Sequence, residues 1–301
     1  MVLPPLYALR AFEAAERFGS FSKAAAYLNL SPSAISRHIC TLEDWFECKL
    51  FIRKGPKVES TDIGKVLAKQ LADGFRCIEH ACNTLQSNSR ELRLKAPSTL
   101  TMRWLLEVLK SFNELYSTPK VGITSVWMDV DSVDFSNEPY DCAILLGHGQ
   151  FGPETDCLAL FDEFLIPICS PKLTHQVLSN IAEFELIHPS PDRRDWRRWL
   201  KKTGRHSDLN ISYGKVFDTL EQGNLATMSG HGVSIGDLLL SLESINSGLL
   251  DIPYREAVAT GDSYYLVWPK NSLCKDNIEV LHHWLRDRIP SELPKGVKIL
   301  R

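Results

Sequence analysis

Motifs of enzymes and metal proteins are scarce in this 301-residue sequence. Its eight cysteines include no C-x-x-C pair and no ligand spacing of a zinc site, so we expect reduced thiols rather than disulfides or a metal. We also expect no nucleophile elbow, no phosphate-binding loop and no dinucleotide-binding loop. The adjacent His282 and His283 would project in different directions from a helix. These features predict a protein with no catalytic residues, no metal and no cofactor.

Long apolar runs and an export signal are also missing. The stretch from Met1 to Pro5 has neither the charged region nor the apolar run of a secretory signal. Charged or polar residues interrupt each apolar stretch before it reaches the length of a membrane span. We therefore expect a cytoplasmic protein with no membrane partner. Its 44% hydrophobic and 24% charged residues are sufficient for folded cores, and its length predicts two or three domains.

The sequence has no overall excess of positive charge, since its formal net charge is -3. That value at first disfavours a nucleic-acid partner, but the distribution of charge along the chain matters more. Up to Asp62 there are eight Lys and Arg against seven Asp and Glu, a balance of +1 that leaves -4 for the remainder. Basic residues concentrate around Arg37 and Arg53, where phosphate contacts would need them. The small surplus predicts that affinity depends on dimerisation.

The stretch from Ser20 to Arg53 predicts two short helices joined by a tight turn. Ser20 or Ser22 is expected to cap the first helix. The apolar side of that helix consists of Ala24, Ala25 and Leu28. Asn29 then breaks the helix, and Leu30 is expected to fill the turn.

The second helix has both a cap and a proline at its start. Ser31 supplies the capping hydroxyl, and Pro32 occupies the first helical position, where a missing N–H costs nothing. Its apolar face at helical spacing consists of Ile35, Ile39 and Leu42. Its outward face carries Ser33, Ser36, Arg37 and Thr41. Small hydroxyls and one long guanidinium suit a helix that enters the DNA major groove.

A basic turn at residues 50–55 follows these helices and has the character of the wing in a winged helix. An ordinary helical hairpin with a solvated face would share the Ala-rich pattern. The short turn, the capped proline helix and the basic turn together favour DNA binding over that alternative. The candidate DNA-binding residues are Ser22, Lys23, Ser31, Pro32, Ser33, Ser36, Arg37, Arg53 and Lys54.

A first helix is predicted from Leu6 to Phe18, with Gly19 at its end. Its expected inner face consists of Leu6, Leu9, Phe12 and Ala15. Arg10 is either a phosphate contact or a solvated charge.

A long helix is predicted from Thr61 and Asp62 to about Leu85. Its apolar stripe is close to heptad spacing and consists of Leu67, Leu71, Phe75, Ile78, Cys82 and Leu85. Such a stripe predicts pairing with the same helix of a second subunit. Gly74 is either a weak point in that helix or a position of close approach. The polar segment from Gln86 to Arg90 is expected to act as a hinge.

From Leu92 onward, strand and helix patterns alternate, which predicts an α/β domain with a sheet covered on both faces. Ligands bind at the carboxyl ends of strands in such sheets. The residues expected at those ends are Ser98, Thr99, Thr101, Gly147, His148, His188, Asp192, Asp218, Thr219, Gly236 and Asp237. Plain helix caps and a buried core histidine would explain several of them equally well. Together they predict a small-molecule site, with a zwitterion such as an amino acid, or a related anion, as its ligand.

The first sixty-odd residues resemble the N-terminal domain of LysR-type transcriptional regulators. The resemblance is carried by Leu9, Phe12, Ala24, Ala25, Leu28, residues 31–36, Ile39, Leu42, Glu43, Leu50, Phe51, Arg53, Thr61 and Gly64. It implies an all-α winged helix-turn-helix domain, a long linker helix for dimerisation, and a C-terminal effector domain of periplasmic-binding-protein type. It also implies promoter DNA, a small-molecule effector and RNA polymerase as partners, and assembly into dimers or tetramers.

Several later segments are similar to the branch of this family that includes the activators of glycine cleavage, D-serine dehydratase and chromosomal beta-lactamase. These segments are residues 103–105, 133–135, 140–144, 166–171, 196–200 and 230–236. The branch commonly has an Arg-aromatic pair where this chain has Leu145 and Leu146, and an acidic residue where it has His148. The ligand of a relative therefore does not transfer to this chain.

The expected domains are a DNA-binding domain at 1–62, a linker helix and hinge at 63–90, and an effector domain at 91–301. Within the effector domain, lobe I is expected at 91–163 and 268–301, and lobe II at 164–267. The remaining alternative is a solute-binding protein without DNA function. It would leave the first ninety residues unexplained.

Overall fold

A computed structural model describes residues 3–54, 57–86, 91–126, 132–136 and 138–301. Within these ranges, the side chains of residues 53, 54, 57, 58, 76, 77, 80, 81 and 83–86 are not described. The chain divides into two compact units, Met1–Asn88 and Ser89–Arg301. Each unit has its own hydrophobic core.

The N-terminal unit begins with three helices whose ends follow local sequence signals. They are α1 at Leu6–Phe18, α2 at Phe21–Leu28 and α3 at Pro32–Phe46. Gly19 and Asn29 adopt the left-handed conformation that ends α1 and α2. Ser20 rather than Ser22 caps α2, since its hydroxyl accepts a hydrogen bond from the Lys23 amide. The predicted helix-turn-helix is confirmed.

Two leucines expected in the interior are exposed instead. Leu6 is 55% exposed, whereas Leu9, Phe12 and Ala15 are buried. Positions three residues apart are separated by about 300° around the axis of a helix. Leu6 and Ala15 are three such steps apart, so they lie on opposite sides of α1. Leu30 is 41% exposed. Its amide bonds to the Ala25 carbonyl at 2.9 Å, so backbone hydrogen bonds hold this turn rather than an apolar side chain.

A two-stranded antiparallel ribbon follows α3, with β1 at Phe51–Lys54 and β2 at Lys57–Ser60. This ribbon is the predicted wing. Glu43 of α3 anchors its first strand, because one carboxylate oxygen accepts hydrogen bonds from the Leu50 and Phe51 amides at 2.9 and 3.3 Å. The other oxygen pairs with Lys49 at 2.7 Å.

The long helix α4 spans Asp62–Gln86, as predicted. The first half of its expected dimer stripe is used within the same chain, since Leu67, Leu71 and Phe75 pack against the core of the N-terminal unit. The reason is that α4 packs against α1 and so contributes these side chains to the same core. Ile78 and Cys82 of the stripe are exposed. The side chain of Leu85 lies outside the described residues.

The C-terminal unit is built on one mixed nine-stranded sheet with the order β4-β3-β5-β10-β6-β9-β7-β8, and with β11 beside β10. The strands are β3 Leu92–Pro97, β4 Val121–Val126, β5 Cys142–Gly147, β6 Thr155–Cys169, β7 Leu186–His188, β8 Lys215–Val216, β9 Val233–Asp237, β10 Glu256–Pro269 and β11 Lys298–Leu300. The pairs β3–β4 and β7–β9 are parallel, whereas β10 runs antiparallel to β5 and β6.

Helices pack against this sheet along both of its halves. They are α5 Ser98–Leu100, which continues through a π-helical turn at Thr101–Leu105 into α6 Leu106–Leu115, then α7 Thr174–Ser179, α8 Arg194–Thr203, α9 Leu220–Met228, α10 Leu238–Asn246 and α11 Lys275–Arg286. Short 3-10 turns occur at Pro171–Leu173 and Ile181–Glu183. Separate apolar clusters underlie the two ends of the sheet.

Two long strands, β6 and β10, connect the two lobes of the unit. β10 pairs with β5 and with the first part of β6 from Ser263 onward, and with the later part of β6 at Val258 and Ala259. The register shifts between Ala259 and Ser263. Ser263–Val267 pair with β5, and the predicted boundary between the lobes lies directly after this segment, at residue 267. Helix pattern and strand length did not reveal where β10 changes its partner.

None of the helices in the described part of the chain combines the length and the apolar character needed to cross a membrane.

Candidate functional site

The N-terminal end of α3 forms a polar, exposed surface. The Ser31 hydroxyl accepts a hydrogen bond from the Ala34 amide at 3.2 Å and lies 2.9 Å from the Ser33 hydroxyl. Pro32 occupies the first helical position. The surface at the start of the helix therefore consists of short polar side chains. Their hydroxyls are held in place by bonds to each other and to the backbone.

Arg37 and Thr41 extend this surface by one and two helical turns. Both are exposed, and the Thr41 hydroxyl donates to the Arg37 carbonyl at 3.0 Å. Ser36 is only half-buried, while Ile35 and Ile39 behind it are buried. The helix therefore separates an apolar side from a polar side as the sequence predicts, and the guanidinium of Arg37 points outward.

The other candidate DNA-binding residues lie at the edges of this surface. Ser22 and Lys23 are exposed at the start of α2. Arg53 and Lys54 lie in β1, and their side chains are outside the described residues. Arg10 is engaged inside the N-terminal unit, because its Nη2 lies 2.6 Å from Glu79 Oε1 of α4 and its guanidinium lies over the Phe75 ring.

A cleft of about 390 Å³ lies between the lobes of the C-terminal unit. Five of the predicted effector residues line it, namely Ser98, Thr99, Asp192, Asp218 and Thr219. Ser98 and Thr99 lie at the start of the helical segment after β3, and Thr219 caps α9 by accepting from the Gln222 amide at 3.2 Å. These residues come from two facing helix starts, so the cleft offers hydroxyls on both walls.

Six predicted effector residues lie outside the lining of this cleft. His188 is buried in β7, where its Nε2 donates to the Tyr213 carbonyl at 2.7 Å, and burial lowers its pKa. Asp237 is buried as the cap of α10 and accepts from the Leu239 amide at 2.9 Å. The His148 side chain is 74% exposed, and its Nε2 lies 3.2 Å from Asp262 Oδ1.

The remaining three residues are Thr101, Gly236 and Gly147. Thr101 is 2% exposed within the π-helical turn. A side chain on Gly236 would come within 2.9 Å of Ile168 and Ser241. Gly147 ends β5 beneath the Phe151 ring. Gly147 and Gly236 lie in β5 and β9, whereas Thr101 belongs to a helical turn, so close packing around each residue keeps it out of the cleft lining.

Several side chains that line the cleft have no motif in the sequence that predicts them there. They are Leu146, Glu163, Leu165, Ser190, Arg194, Asp195 and Tyr264. Glu163 and Tyr264 lie on the two strands that connect the lobes, and no local motif distinguishes them from other strand residues. Ser190 lies in the same loop as the predicted Asp192, and Arg194 follows that loop at the start of α8, which is the signal that could have found them.

The floor of the cleft is acidic. Burial, together with the nearby carboxyls of Asp237 and Asp195, raises the pKa of Glu163 to about 8 in spite of the hydrogen bond with Thr260 and the charge of Arg198, which lower it. Burial also raises the pKa of Asp237 to about 7 and that of Asp195 above its ordinary value. Three carboxyls that resist ionisation thus lie together near the crossing of the lobes.

Two glycine patterns match enzyme motifs by spacing alone. Residues 147–152 have the spacing of a dinucleotide-binding loop, but β6 rather than a helix follows them. Residues 232–236 have the spacing of a nucleophile elbow, but Ser234 is buried within β9 and not at a strand-to-helix turn. Their contexts therefore support neither activity.

The surroundings of Cys142 and Cys157 do not favour reactive thiols, and no metal site forms in the described part of the chain. Burial raises the pKa of the Cys142 and Cys157 thiols, which disfavours the reactive thiolate. No three side chains of His, Cys, Asp or Glu converge there as a metal site.

Comparison with known families gives two matches that together cover most of the chain. Residues 6–65 match the family described as bacterial regulatory helix-turn-helix protein, lysR family. Residues 85–290 match the LysR substrate binding domain.

Curated relatives match over nearly their full length. The chain is 28% identical over 300 residues to the glycine cleavage system transcriptional activator of Escherichia coli strain K12, which covers 97% of this chain and 96% of the relative. It is 29% identical over 286 residues to the HTH-type transcriptional activator AmpR of Rhodobacter capsulatus, covering 93% and 96%.

Solved structures show the same folds. The effector domain of the transcriptional regulator AmpR of Pseudomonas aeruginosa has a TM-score of 0.57 at 24% identity and covers 66% of this chain and 95% of that one. The full-length virulence activator AphB of Vibrio cholerae has a TM-score of 0.57 at 17% identity and covers 95% and 100%. The chain therefore belongs to the LysR family of transcriptional regulators, which bind DNA through the helix-turn-helix domain, respond to small-molecule effectors through the substrate-binding domain, and are not enzymes.

Proposed function

We propose that this regulator contacts promoter DNA through α3 and the wing, and that a small molecule in the interlobe cleft alters those contacts. The observation that carries the proposal is the position of the cleft, which lies where β6 and β10 connect the lobes. A ligand there contacts both lobes and therefore favours one arrangement of them. A change in lobe arrangement can shift the spacing of paired DNA-binding domains.

On the DNA side, Ser33, Ser36 and Arg37 face bases or phosphates in the major groove. Pro32 provides an apolar contact for a thymine methyl, and Ser31 holds the helix start in place. Phosphates flanking this contact are bound by Ser22, Lys23, Arg53 and Lys54. The exposed polar surface at the start of α3 supports these roles.

On the ligand side, Ser98 and Thr99 offer hydroxyls and backbone N–H groups to a carboxylate. Asp218 and Thr219 on the opposite wall complete a site for an amino acid or a related anion. Six further residues act from behind the cleft by holding its strands and loops, namely Thr101, Gly147, His148, His188, Gly236 and Asp237.

The regulator acts as an oligomer. Ile63, Val66 and Ile78 leave an exposed apolar side on α4, with exposures of 63%, 61% and 49%. A second copy of α4 would cover this side, and pairs of such dimers would form a tetramer. Two joined DNA-binding domains bind more tightly than one, which offsets the small basic surplus. We further propose that the regulator contacts RNA polymerase and is located in the cytoplasm. The proposed domains are the DNA-binding domain at 1–62, the linker helix and hinge at 63–90, and the effector domain at 91–301.

The test is a footprint of the purified full-length protein on the DNA upstream of its own gene and of the neighbouring gene. We expect a protected site in two parts, separated by whole turns of DNA. The Arg37→Ala variant, confirmed as folded, should lose protection. Failure of the folded wild-type protein to protect this DNA at low salt would favour the solute-binding alternative.

A further inference from the structure

The charges around the cleft are unbalanced. Four carboxyls line it, on Glu163, Asp192, Asp195 and Asp218, whereas Arg194 contributes a single guanidinium. Asp192 is stabilised in its charged form by the Arg194 amide at 3.1 Å. The other acids crowd the floor and the α9 wall of the cleft. An anion alone would find few partners there, so the lining favours a ligand with a positive group.

Glu163 is a buried carboxyl with one oxygen that lacks a hydrogen bond. It lies in β6, is 8% exposed, and its Oε2 atom is buried and has no hydrogen-bond partner. The guanidinium of Arg198 is 3.7 Å from this oxygen, beyond hydrogen-bond distance, but 3.3 Å from Asp262 Oδ2. Arg198 therefore forms the closer ion pair with Asp262 and only a distant one with Glu163.

Among the groups that face Glu163, the guanidinium of Arg198 is the cation that lies nearby. Asp195 and Arg198 face it from α8 and Asp237 faces it from β9. Thr260, at the register shift of β10, forms a side-chain hydrogen bond with Glu163. The nearby Asp262 is shared by Arg198 and by His148, whose Nε2 lies 3.2 Å away. A buried carboxyl without a full partner resists ionisation, because the charged form is poorly solvated. A cation delivered by a ligand would supply the missing partner.

We propose that Glu163 binds the protonated amine of the effector, so that the cleft selects compounds that carry an ammonium group. This inference rests on the proposed function of the cleft. An organic ammonium fits better than a metal ion, since the described residues include no converging set of three metal ligands. An ammonium can donate up to three hydrogen bonds, which matches the unpartnered Oε2 and the neighbouring carboxylate of Asp195.

Binding would release a proton. In the free protein at neutral pH, Glu163 is mainly the neutral acid, since its pKa is raised to about 8. The ammonium remains protonated, Glu163 loses its proton to solvent, and an ion pair forms. Affinity should therefore increase about tenfold per pH unit below the pKa of the carboxyl, and level off above it.

The experiment uses thermal shifts of the full-length protein with free amino acids, simple amines including methylammonium, N-acetyl derivatives of the same compounds, and amine-free acids. We expect at least one amine-bearing compound to raise the Tm, with a larger shift at higher pH, while its N-acetyl derivative has no effect. Potassium chloride at equal concentration controls for ionic strength. Calorimetry of the strongest responder in two buffers of different ionisation enthalpy should show the release of about one proton on binding.

The Glu163→Gln variant should lose the response, because the amide has no charge for the ammonium. The exposed Glu292→Gln is the matched control and should respond like the wild type. If Glu163→Gln does not fold, Glu163→Asp keeps the charge and should retain a weakened response with the same pH trend.

Three results would overturn the proposal: an unchanged response in folded Glu163→Gln, equal binding of amine and N-acetyl compounds, or no response to any amine-bearing compound. A response to amine-free acids that Ser98→Ala weakens would reject the ammonium site but retain the cleft as an effector site. Intact DNA protection in the same preparations separates either result from failure of the DNA-binding role.

Discussion

Arg103 and Glu221 form a two-point ion pair between the lobes of the effector unit. Arg103 Nε lies 2.8 Å from Glu221 Oε2, and Nη2 lies 2.7 Å from Oε1. The third nitrogen donates to the Ser244 hydroxyl at 2.9 Å. Arg103 follows the helix start at Ser98, and Glu221 follows the cap at Thr219. The pair thus joins the two helix starts that form opposite walls of the cleft.

The first prediction concerns this pair. Glu221→Gln keeps the shape of the side chain but removes the charge that the mostly buried guanidinium needs. We expect a loss of about 1–3 kcal/mol in the free energy of unfolding of the effector unit, measured by urea denaturation. The matched control is Glu279→Gln, whose partner Lys275 lies 3.9 Å away at the surface. The control should change stability by about 0.5 kcal/mol or less. Equal stabilities of the two variants would contradict the interlobe role.

The second prediction concerns the exposed guanidinium of Arg37. Arg37→Ala should weaken binding to the footprinted DNA by about 1–3 kcal/mol, because a base or phosphate contact is lost. Fluorescence anisotropy at several salt concentrations measures both affinity and its salt dependence. A phosphate contact would reduce the magnitude of the salt slope by about 1, whereas a base contact would relax specificity at one position. Arg286→Ala, an exposed change in α11, should bind as the wild type does.

The third prediction compares two glycines of α4. A Cβ on Gly64 would lie 2.4 Å from the Leu50 carbonyl oxygen, whereas a Cβ on Gly74 would meet no atom within 4 Å. Alanine favours a helix over glycine by about 1 kcal/mol. Gly74→Ala should therefore stabilise the N-terminal unit, by about 0.5–1 kcal/mol. Gly64→Ala should destabilise it by about 1–2 kcal/mol in spite of that preference, because the backbone must shift.

Urea denaturation followed by circular dichroism measures both glycine variants. A gain in stability for Gly64→Ala would show that the contact with Leu50 is loose. A loss for Gly74→Ala would place this glycine at a close approach to a second copy of α4, which is the alternative that the sequence leaves open.

The fourth prediction concerns the pH dependence set by Glu43. Burial raises the pKa of Glu43, but the hydrogen bonds from Lys49 and from the Leu50 and Phe51 amides lower it more, so the pKa lies below the ordinary 4.5. A carboxyl whose pKa is lower in the folded state stabilises the fold above the unfolded pKa. That stabilisation is lost as the pH falls from 4.5 through the folded value.

Glu43→Gln should therefore destabilise the N-terminal unit near neutral pH, and the difference from the wild type should shrink in acid. Urea midpoints over a pH series provide the measurement. Glu47→Gln, an exposed change at the end of the same helix, should leave the pH profile unaltered. A constant difference between Glu43→Gln and the wild type at all pH values would show that the carboxylate charge makes no contribution.

Local sequence signals predicted most of the secondary structure. The capping hydroxyl of Ser31 with Pro32 places the start of α3, and Gly19 places the end of α1. Strands such as Leu92–Pro97 follow from their alternating pattern. These signals succeed because capping, proline geometry and side-chain periodicity act between residues that are close in the chain.

The cleft was predictable in position but not in composition. Ser98 and Asp218 follow from the rule that sites lie at strand ends and helix starts. Glu163 does not, because its place in the cleft depends on how β6 pairs with β10 and β9. The same rule predicts His188 at the cleft, but its strand turns the ring into the core, where Nε2 donates to the Tyr213 carbonyl.

The sequence by itself determined the family, the DNA-reading helix with its polar face, and the succession of helices and strands. Only the tertiary structure decided that Leu67, Leu71 and Phe75 of α4 serve their own subunit, and that Glu163 rather than His188 lines the cleft. The physical reason is the range of the interactions. Caps and periodicity are local, whereas the choice of a packing partner and the face a strand residue occupies are settled by contacts between segments far apart in the chain.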